Sequence, residues 1–214
     1  MPVSRAYAVT TAAGTQPRRS SPPDPNDLTP KQFARREKII QAALLLLMEH
    51  PYDQVQIRDV AEAADLAPGT VYRYFASKEH LFVAVQLAWQ DRFRRQLETD
   101  PPQSTSPRDR LRDIAFRAIR TYEREPNFYA ITVMSRRTSD HHARTLAYRE
   151  LIPHSEAIFA GPLPEIPPED RNVIVMLIGA MLDWELGAWL AGAITIDEVH
   201  DRMGRTIDLL KLPD

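Results

Sequence analysis

The sequence has no cysteine and no long apolar run, and both absences narrow what the protein can be. Without cysteine there is neither a disulfide framework nor a thiolate metal site, and a reducing compartment suits the chain. The longest apolar run, Val173 to Leu182, has ten residues, whereas a membrane-spanning helix needs about 20. We therefore expect a soluble cytoplasmic protein, and a hydrophobic content of 43% is enough for a packed core.

The chain also lacks a strong excess of positive charge. Its formal net charge is −2, but residues 1–78 carry 10 basic and 8 acidic side chains, whereas residues 79–214 carry 17 and 21. A strongly basic nucleic-acid-binding domain would have an isoelectric point above about 9. Any nucleic-acid site in this chain must therefore be a local patch.

No arrangement of residues typical of an enzyme stands out. The sequence shows no Ser-His-Asp arrangement, Gly-rich phosphate loop or HExxH motif. His141 and His142 invite a metal interpretation, but adjacent residues on a helix point about 100° apart and no third ligand is near. A solvated helix start explains this pair better. We expect no catalytic residue, no metal ligand and no cofactor.

Apolar residues recur with helical spacing throughout the chain, and no stretch alternates as a strand would. The pattern predicts an all-α fold. Its first helix should begin at the capping pair Thr29-Pro30 and reach about His50, with Phe33 among its buried residues. The Pro-rich segment 100–107 is the clearest internal linker.

The stretch from Ile57 to Lys78 is the segment around which the chain is organised. Its first part has an apolar face with helical spacing, formed by Ile57, Val60, Ala61 and Ala64. Leu66 is expected to plug a tight turn, Pro68 fits the first position of a second helix, and Ser77 can cap a third. Two short helices joined by a tight turn are typical of a helix-turn-helix.

The second of these helices carries side chains that suit DNA. Gly69 and Thr70 leave its start open, so it can enter a major groove about 12 Å wide. Thr70 can touch a thymine methyl or a base edge. We expect Tyr72, Arg73 and Tyr74 to point outward, where the hydroxyls can donate to phosphates and the guanidinium supplies charge.

The run APGTVYRYFASKE, Ala67 to Glu79, resembles the signature of the TetR family of bacterial transcriptional regulators. The preceding Ile57 to Ala64 resembles that family's second helix, and the likeness extends over about Arg35 to Trp89. The sequence departs from the family where Gln56 replaces the usual Thr and Ala67 replaces a capping Ser or Thr. Both changes weaken local caps.

The resemblance implies that different segments of the chain form domains with different roles. After an N-terminal arm over 1–29 that its composition predicts to be disordered, it implies a three-helix helix-turn-helix DNA-binding domain over 30–80 with its motif at about 56–75, and a larger helical ligand-binding and dimerisation domain over 81–214. It also implies a homodimer that binds a palindromic DNA operator. The expected DNA-binding residues are Arg58, Pro68, Gly69, Thr70, Tyr72, Arg73, Tyr74 and Lys78.

The N-terminal arm, residues 1–29, is polar and interrupted by five prolines, so it should lack a fixed fold. Arg18 and Arg19 could place a basic arm in a DNA minor groove, as some helix-turn-helix proteins do. A solvated tail without such a role is the simpler interpretation.

A helix over about Glu169 to Ala191 is apolar nearly all round between Val173 and Leu182, so more than one of its sides must be covered. In a TetR-like protein the last two helices pair with their mates in a twofold dimer, which would cover the second side. Such a dimer reads two half-sites about one helical turn apart. The alternative is a monomer in which this helix is central.

The larger domain should hold a small-molecule effector if the resemblance is correct. Aromatic residues with helical spacing are more often plain core, so each position has that second interpretation. Arg136 is a further polar candidate for orienting a ligand. The expected ligand-binding residues are Trp89, Phe116, Arg120, Tyr122, Phe128, Tyr129, Met134, Asp183 and Trp184.

Gln56 and His80 give the sequence a finer similarity to the TetR-type repressors of sterol catabolism in actinobacteria. That likeness implies an acyl- or steroid-CoA thioester as the ligand, and a wide apolar pocket with an arginine near its mouth would fit it. An all-helical dimer that binds a hydrophobic ligand or a protein partner without any DNA function is the alternative hypothesis.

Overall fold

The computed structural model describes residues 22–212. Within that range the chain is helical and no strand occurs, so the predicted all-α class is confirmed. The helices in chain order are α1 (Pro30–Glu49), α2 (Ile57–Ala63), α3 (Pro68–Tyr74), α4 (Lys78–Thr99), α5 (Pro107–Arg124), α6 (Asn127–Arg137), α7 (His141–Leu146), α8 (Ile152–Ala160), α9 (Pro168–Leu190) and α10 (Ile196–Leu209).

Most of the predicted N-terminal arm, including Arg18 and Arg19, lies outside the described residues. The described part, residues 22–29, contains one turn of 3-10 helix at Pro25–Asp27. The Asp24 side chain caps this turn by accepting a hydrogen bond from the N–H of Asn26 at 2.8 Å.

Helix α1 begins where the sequence predicts. The hydroxyl of Thr29 accepts from the N–H of Gln32, and the Gln32 side chain accepts from the N–H of Thr29 at 2.9 Å, so the two residues form a capping box. Phe33, which we expected to be buried, is 47% exposed. The whole first turn of α1 is exposed, and full burial begins only at Ile39.

Helix α4 connects the small N-terminal helices to the larger group. Its first turn is capped by Ser77, whose hydroxyl accepts from the N–H of His80 at 2.9 Å. Further along it packs against α1 on one side and against α6, α7 and α8 on the other. Its buried side chains, including Phe82 and Trp89, therefore belong to one continuous core.

The helical stretch from His141 to Ala160 is interrupted by a wider turn. Asp140 caps α7 through the N–H of Ala143 at 2.7 Å, but residues Ala147–Leu151 form a π-helical segment before α8 begins. Pro153 lies at the second position of α8, where its missing N–H costs little.

Helix α9 packs against α5, α8 and α10, and α10 begins with a capping box between Thr195 and Glu198. One long side of α9 remains uncovered. Among residues 22–212, α9 is the one helix whose length and composition would allow it to cross a membrane, a test that core helices of soluble proteins also pass. The exposed apolar residues on α9 and α10 are Val173, Met176, Leu177, Trp184, Leu190 and Leu209.

Candidate DNA-binding surface and effector cavity

Helices α2 and α3 are joined by a turn that the sequence specifies closely. Asp65 has a φ of 52°, a left-handed conformation that aspartate tolerates better than most residues. The next N–H, that of Leu66, donates to the carbonyl of Ala61 at 2.8 Å, and the Leu66 side chain packs against the core. This turn fixes α3 against α2, as a helix-turn-helix requires.

Helix α3 presents an open start and a buried inner face. Pro68, Gly69 and Arg73 are exposed, and Thr70 is half-buried. A Cβ atom added at Gly69 would meet nothing within 4 Å, so this end of the helix is clear of the rest of the chain. Tyr72 is also exposed. The predicted groove-facing residues therefore share one accessible surface.

Tyr74 does not belong to that surface. Its side chain is only 3% exposed, because it lies three residues after the fully buried Val71 and so shares the inner face of α3. The prediction that Tyr74 points outward to a phosphate is wrong. Its ring helps to fix α3 to the core instead.

Lys78 is likewise tied to the protein. Its ammonium group donates to the carbonyl of Tyr52 at 2.6 Å and lies 4.3 Å from the centre of the Tyr52 ring. Partial burial lowers the pKa of Lys78. Lys78 thus connects the α1–α2 turn to the first turn of α4, in addition to the phosphate contact that the sequence suggests. Arg58, by contrast, is exposed in the first turn of α2.

We expect Lys78→Ala to lower the free energy of unfolding by about 1–2 kcal/mol, because the Tyr52 carbonyl loses a charged donor and the ring loses its cation. Arg73→Ala, the matched control on exposed surface, should leave stability unchanged within about 0.5 kcal/mol. Urea unfolding of both variants measures this. Equal stability of the two variants would show that the Lys78 contacts contribute nothing.

His80 lies where the helix-turn-helix meets the larger group of helices. Its Nδ1 accepts from the N–H of Ala76 at 3.2 Å, and its ring stacks on that of His142 in α7 with a centroid distance of 5.6 Å. His142 therefore packs at this junction, which corrects the expectation of a solvated pair, whereas His141 is exposed. Burial, followed by the nearby His142, lowers the pKa of His80 to about 4.

This lowered pKa makes stability depend on pH. The unfolded chain binds a proton on His80 near pH 6.5, whereas the folded chain resists it down to about pH 4. The contribution of neutral His80 to the free energy of unfolding is therefore complete above about pH 6.5, and it is lost as the pH falls from about 6.5 to about 4. At about pH 5 the loss should be about 2 kcal/mol relative to about pH 7.5.

Urea unfolding of His80→Gln at the two pH values tests this, because glutamine does not titrate. The variant should show about 2 kcal/mol less pH dependence than the wild type. His50→Gln removes an exposed histidine and should leave the pH dependence unchanged. An unchanged pH dependence in His80→Gln would contradict the assignment.

A largely apolar cavity of about 110 Å³ lies between α4, α5, α6, α8 and α9. Five of its polar lining residues contact one another, namely Tyr122, Tyr129, Thr132, Arg136 and Asp183, and we call this group the polar end of the cavity; Gln90 and Ser155 form a second polar pair. The remaining lining residues are Trp89, Gln90, Phe93, Ala118, Thr121, Ser155, Ile158, Phe159, Gly179, Leu182 and Leu186. A mainly apolar cavity with a few convergent polar groups is typical of a small-molecule site.

The structure brings four of the nine predicted ligand-binding residues to this cavity, namely Trp89, Tyr122, Tyr129 and Asp183. Five do not line it. Phe128 is fully buried beneath the Trp89 ring, Phe116 packs against His200 of α10, and Trp184 is 74% exposed on the opposite side of α9. Arg120 and Met134 also lie outside the lining.

The sequence reasoning missed the contribution of α8 and three of the four lining residues of α9. Ser155, Ile158 and Phe159 come from α8, where no residue had been singled out. Their i, i+3, i+4 spacing places them on one face of α8, but spacing alone does not say which helix that face meets. The missed residues are therefore those whose role depends on the packing of distant helices.

Comparison with known proteins agrees with this geometry. Residues 39–85 match the family model described as bacterial regulatory proteins, tetR family. The HTH-type transcriptional repressor KstR of Rhodococcus jostii is 30% identical over 181 residues, which cover 84% of each chain. KstR of Mycobacterium tuberculosis is 28% identical over 84% of this chain and 81% of its own.

Solved structures show the same fold. A TetR transcriptional regulator from Rhodococcus sp. RHA1 is 27% identical and superposes with a TM-score of 0.73, over 85% of this chain and 97% of its own. FadR from Bacillus subtilis, solved in complex with stearoyl-CoA, is 22% identical with a TM-score of 0.63, over 81% and 96%. The chain belongs to the TetR family of bacterial transcriptional regulators, which bind DNA through a helix-turn-helix.

Proposed function

We propose that this TetR-family protein is a cytoplasmic homodimeric repressor that binds a palindromic operator through α3 and is released by a small hydrophobic ligand. The open, exposed start of α3 is the observation that carries this proposal. We assign residues 30–80 to the DNA-binding domain and residues 81–214 to ligand binding and dimerisation.

The start of α3 supports a division of roles at the DNA. Gly69 and Thr70 lie nearest the base edges, where a small helix start allows close approach. Arg58, Tyr72 and Arg73 are exposed around it and contact phosphates. Pro68 sets the direction of the helix start, and Lys78 adds charge while it holds the Tyr52 turn.

The uncovered side of α9 supports the dimer. A groove between α9 and α10 is lined almost entirely by apolar side chains, and the exposed Trp184 is one of them. Monomeric proteins rarely expose an apolar patch of this kind without a use for it. A second copy related by a twofold axis would cover both grooves with one self-complementary contact.

The position of α4 supports release by a ligand. Trp89 and Phe93 of α4 line the cavity, while the first turn of the same helix carries Ser77 and His80 beside α3. A ligand that moves α4 would change the spacing of the two DNA-reading helices in the dimer. The ligand lowers DNA affinity only as far as it favours the state that cannot bind DNA.

An acyl-CoA thioester is a second candidate for the ligand. A hollow adjoins the cavity, since Trp89, Phe93 and Thr121 line both. The hollow is also lined by Arg92, Arg124 and Glu125, and Arg92 pairs with Glu125 at 2.5 Å. Phosphates suit arginine, and the FadR neighbour was solved with stearoyl-CoA. The cavity of about 110 Å³ is below the roughly 300 Å³ of typical ligand pockets, so a steroid group would require the helices to part.

The test is fluorescence anisotropy of labelled DNA from just upstream of the protein's own gene, titrated at several salt concentrations against unrelated competitor DNA. Specific binding should resist competitor, saturate at two protomers or more per site, and weaken steeply with salt. Competition that is equally effective with any DNA would contradict autoregulation. Absence of any DNA binding, together with ligand binding that barely responds to salt, would favour a protein that binds ligands without a DNA function.

A further inference from the structure

The polar end of the cavity contains two buried hydrogen-bond acceptors that have no partner. One is Oδ1 of Asp183, which lines the cavity, and the other is Oε1 of Gln86, which lies behind Tyr122 and Thr132. Buried polar atoms in folded proteins nearly always have a partner. An unpaired acceptor beside an apolar cavity therefore indicates that a bound molecule supplies the missing hydrogen-bond donor.

The nearest donors each have a partner other than these two atoms. Arg136 pairs with the other carboxylate oxygen of Asp183 at 2.5 Å. The Tyr129 hydroxyl donates to the Asp183 backbone carbonyl at 2.9 Å. The Gln86 amide donates to Thr132 Oγ1 at 3.0 Å and approaches the Tyr122 hydroxyl at 3.5 Å. Among the described residues, the buried unpaired atoms of this wall are thus acceptors.

We propose that the effector's buried end is apolar and carries a hydroxyl group that donates a hydrogen bond to Asp183. A carboxylate turns about χ2 at little cost, so one oxygen can meet the hydroxyl while the other stays on Arg136. The inference rests on the proposed use of this cavity as the effector site and defines the ligand's chemistry within it.

Phenol and toluene are suitable probes, since each has seven non-hydrogen atoms and they differ in one hydroxyl. An apolar cavity of similar size, about 150 Å³, binds benzene, so both probes are on the correct scale. A wall without an acceptor favours toluene, because phenol would lose hydrogen bonds to water. A wall with a charged acceptor reverses that order.

Titration calorimetry of the full chain should therefore show phenol binding more tightly than toluene, by about threefold or more. In Asp183→Leu the order should reverse, with toluene favoured by about tenfold. Asp183→Asn, which keeps the shape of the side chain, should fall between the two. Asp170→Asn removes the same charge at the exposed start of α9, away from the cavity lining, and should behave as the wild type.

Two results would overturn the inference. Toluene binding at least as tightly as phenol in the wild type would show that Asp183 does not select a donor, while the cavity itself would stand as the effector site. If neither probe binds, the inference and the proposed use of the cavity as the effector site are both wrong. Specific DNA binding, measured separately, would then decide whether the repressor role is retained.

Discussion

Replacing Gly69 with glutamate is expected to abolish specific DNA binding while the protein stays folded. A Cβ at this position meets nothing within 4 Å, so the substitution creates no clash in the free protein. Gly69 is the second residue of α3, where a carboxylate interacts favourably with the helix dipole. Stability should therefore be unchanged or slightly higher.

The loss of DNA affinity has two causes that act together. The larger side chain holds the start of α3 away from the base edges, and its charge faces the phosphates of the groove. Juxtaposed like charges at an interface cost several kcal/mol, so the affinity for the operator should fall by at least about 100-fold.

Gln103→Glu is the matched control, because it adds the same charge at an exposed position in the loop between α4 and α5. Anisotropy titrations at one salt concentration compare the two variants, and thermal unfolding confirms that both are folded. If Gly69→Glu binds the operator with an affinity within a few-fold of that of Gln103→Glu, the N-terminal end of α3 is not the part that enters the groove.

The parts of the fold that local sequence determines were predicted well. Thr29 and Ser77 cap helices as expected, because a cap depends on residues within one turn of it. The helix-turn-helix is similarly local, since its turn is specified by Asp65 and Leu66 and its second helix by Pro68.

The errors concern side chains whose environment is set by distant helices. Phe33 and Trp184 have apolar side chains with suitable spacing, yet the single chain leaves both exposed. Arg136 faces Asp183 across α6 and α9, a pairing that no local pattern contains. Spacing identifies the face of a helix, whereas the partner of that face depends on how separate helices pack.

The effector cavity shows the same limit. Tyr122 and Tyr129 were predicted to line it, whereas Phe93 and Phe159 were not singled out although they do. Aromatic residues on α4, α5 and α6 fill the core and line the cavity with the same spacing, so the sequence cannot separate the two roles. The polar end is more specific, because its unpaired acceptors follow from geometry rather than composition.

Replacing Trp184 with glutamate should convert the proposed dimer to a monomer. Trp184 is 74% exposed in the single chain, so the charge is well solvated in the monomer and its fold is retained. In the dimer the same charge would be buried without a partner. Central tryptophans contribute at least about 2 kcal/mol to an interface, and a buried unpaired charge adds to this loss, so dimerisation should weaken by about 100-fold or more.

Tyr148→Glu provides the control, because Tyr148 is 63% exposed but lies on the π segment, away from α9 and α10. Light scattering coupled to size exclusion should show a dimer for this control and a monomer for Trp184→Glu. A dimeric Trp184→Glu would contradict the proposed interface and place the twofold contact on another surface.

Operator binding should change with the oligomeric state. Two linked DNA-reading helices bind more tightly than one because the second contact becomes intramolecular. The affinity increases by about 10²–10⁴-fold when the geometry allows both helices to bind at once. Trp184→Glu should lose that advantage while each α3 remains intact. Its residual DNA binding should therefore keep the sequence preference of the wild type but lose dependence on half-site spacing, whereas Gly69→Glu should lose the preference itself. That contrast separates a failure of the dimer from a failure of the DNA-reading surface.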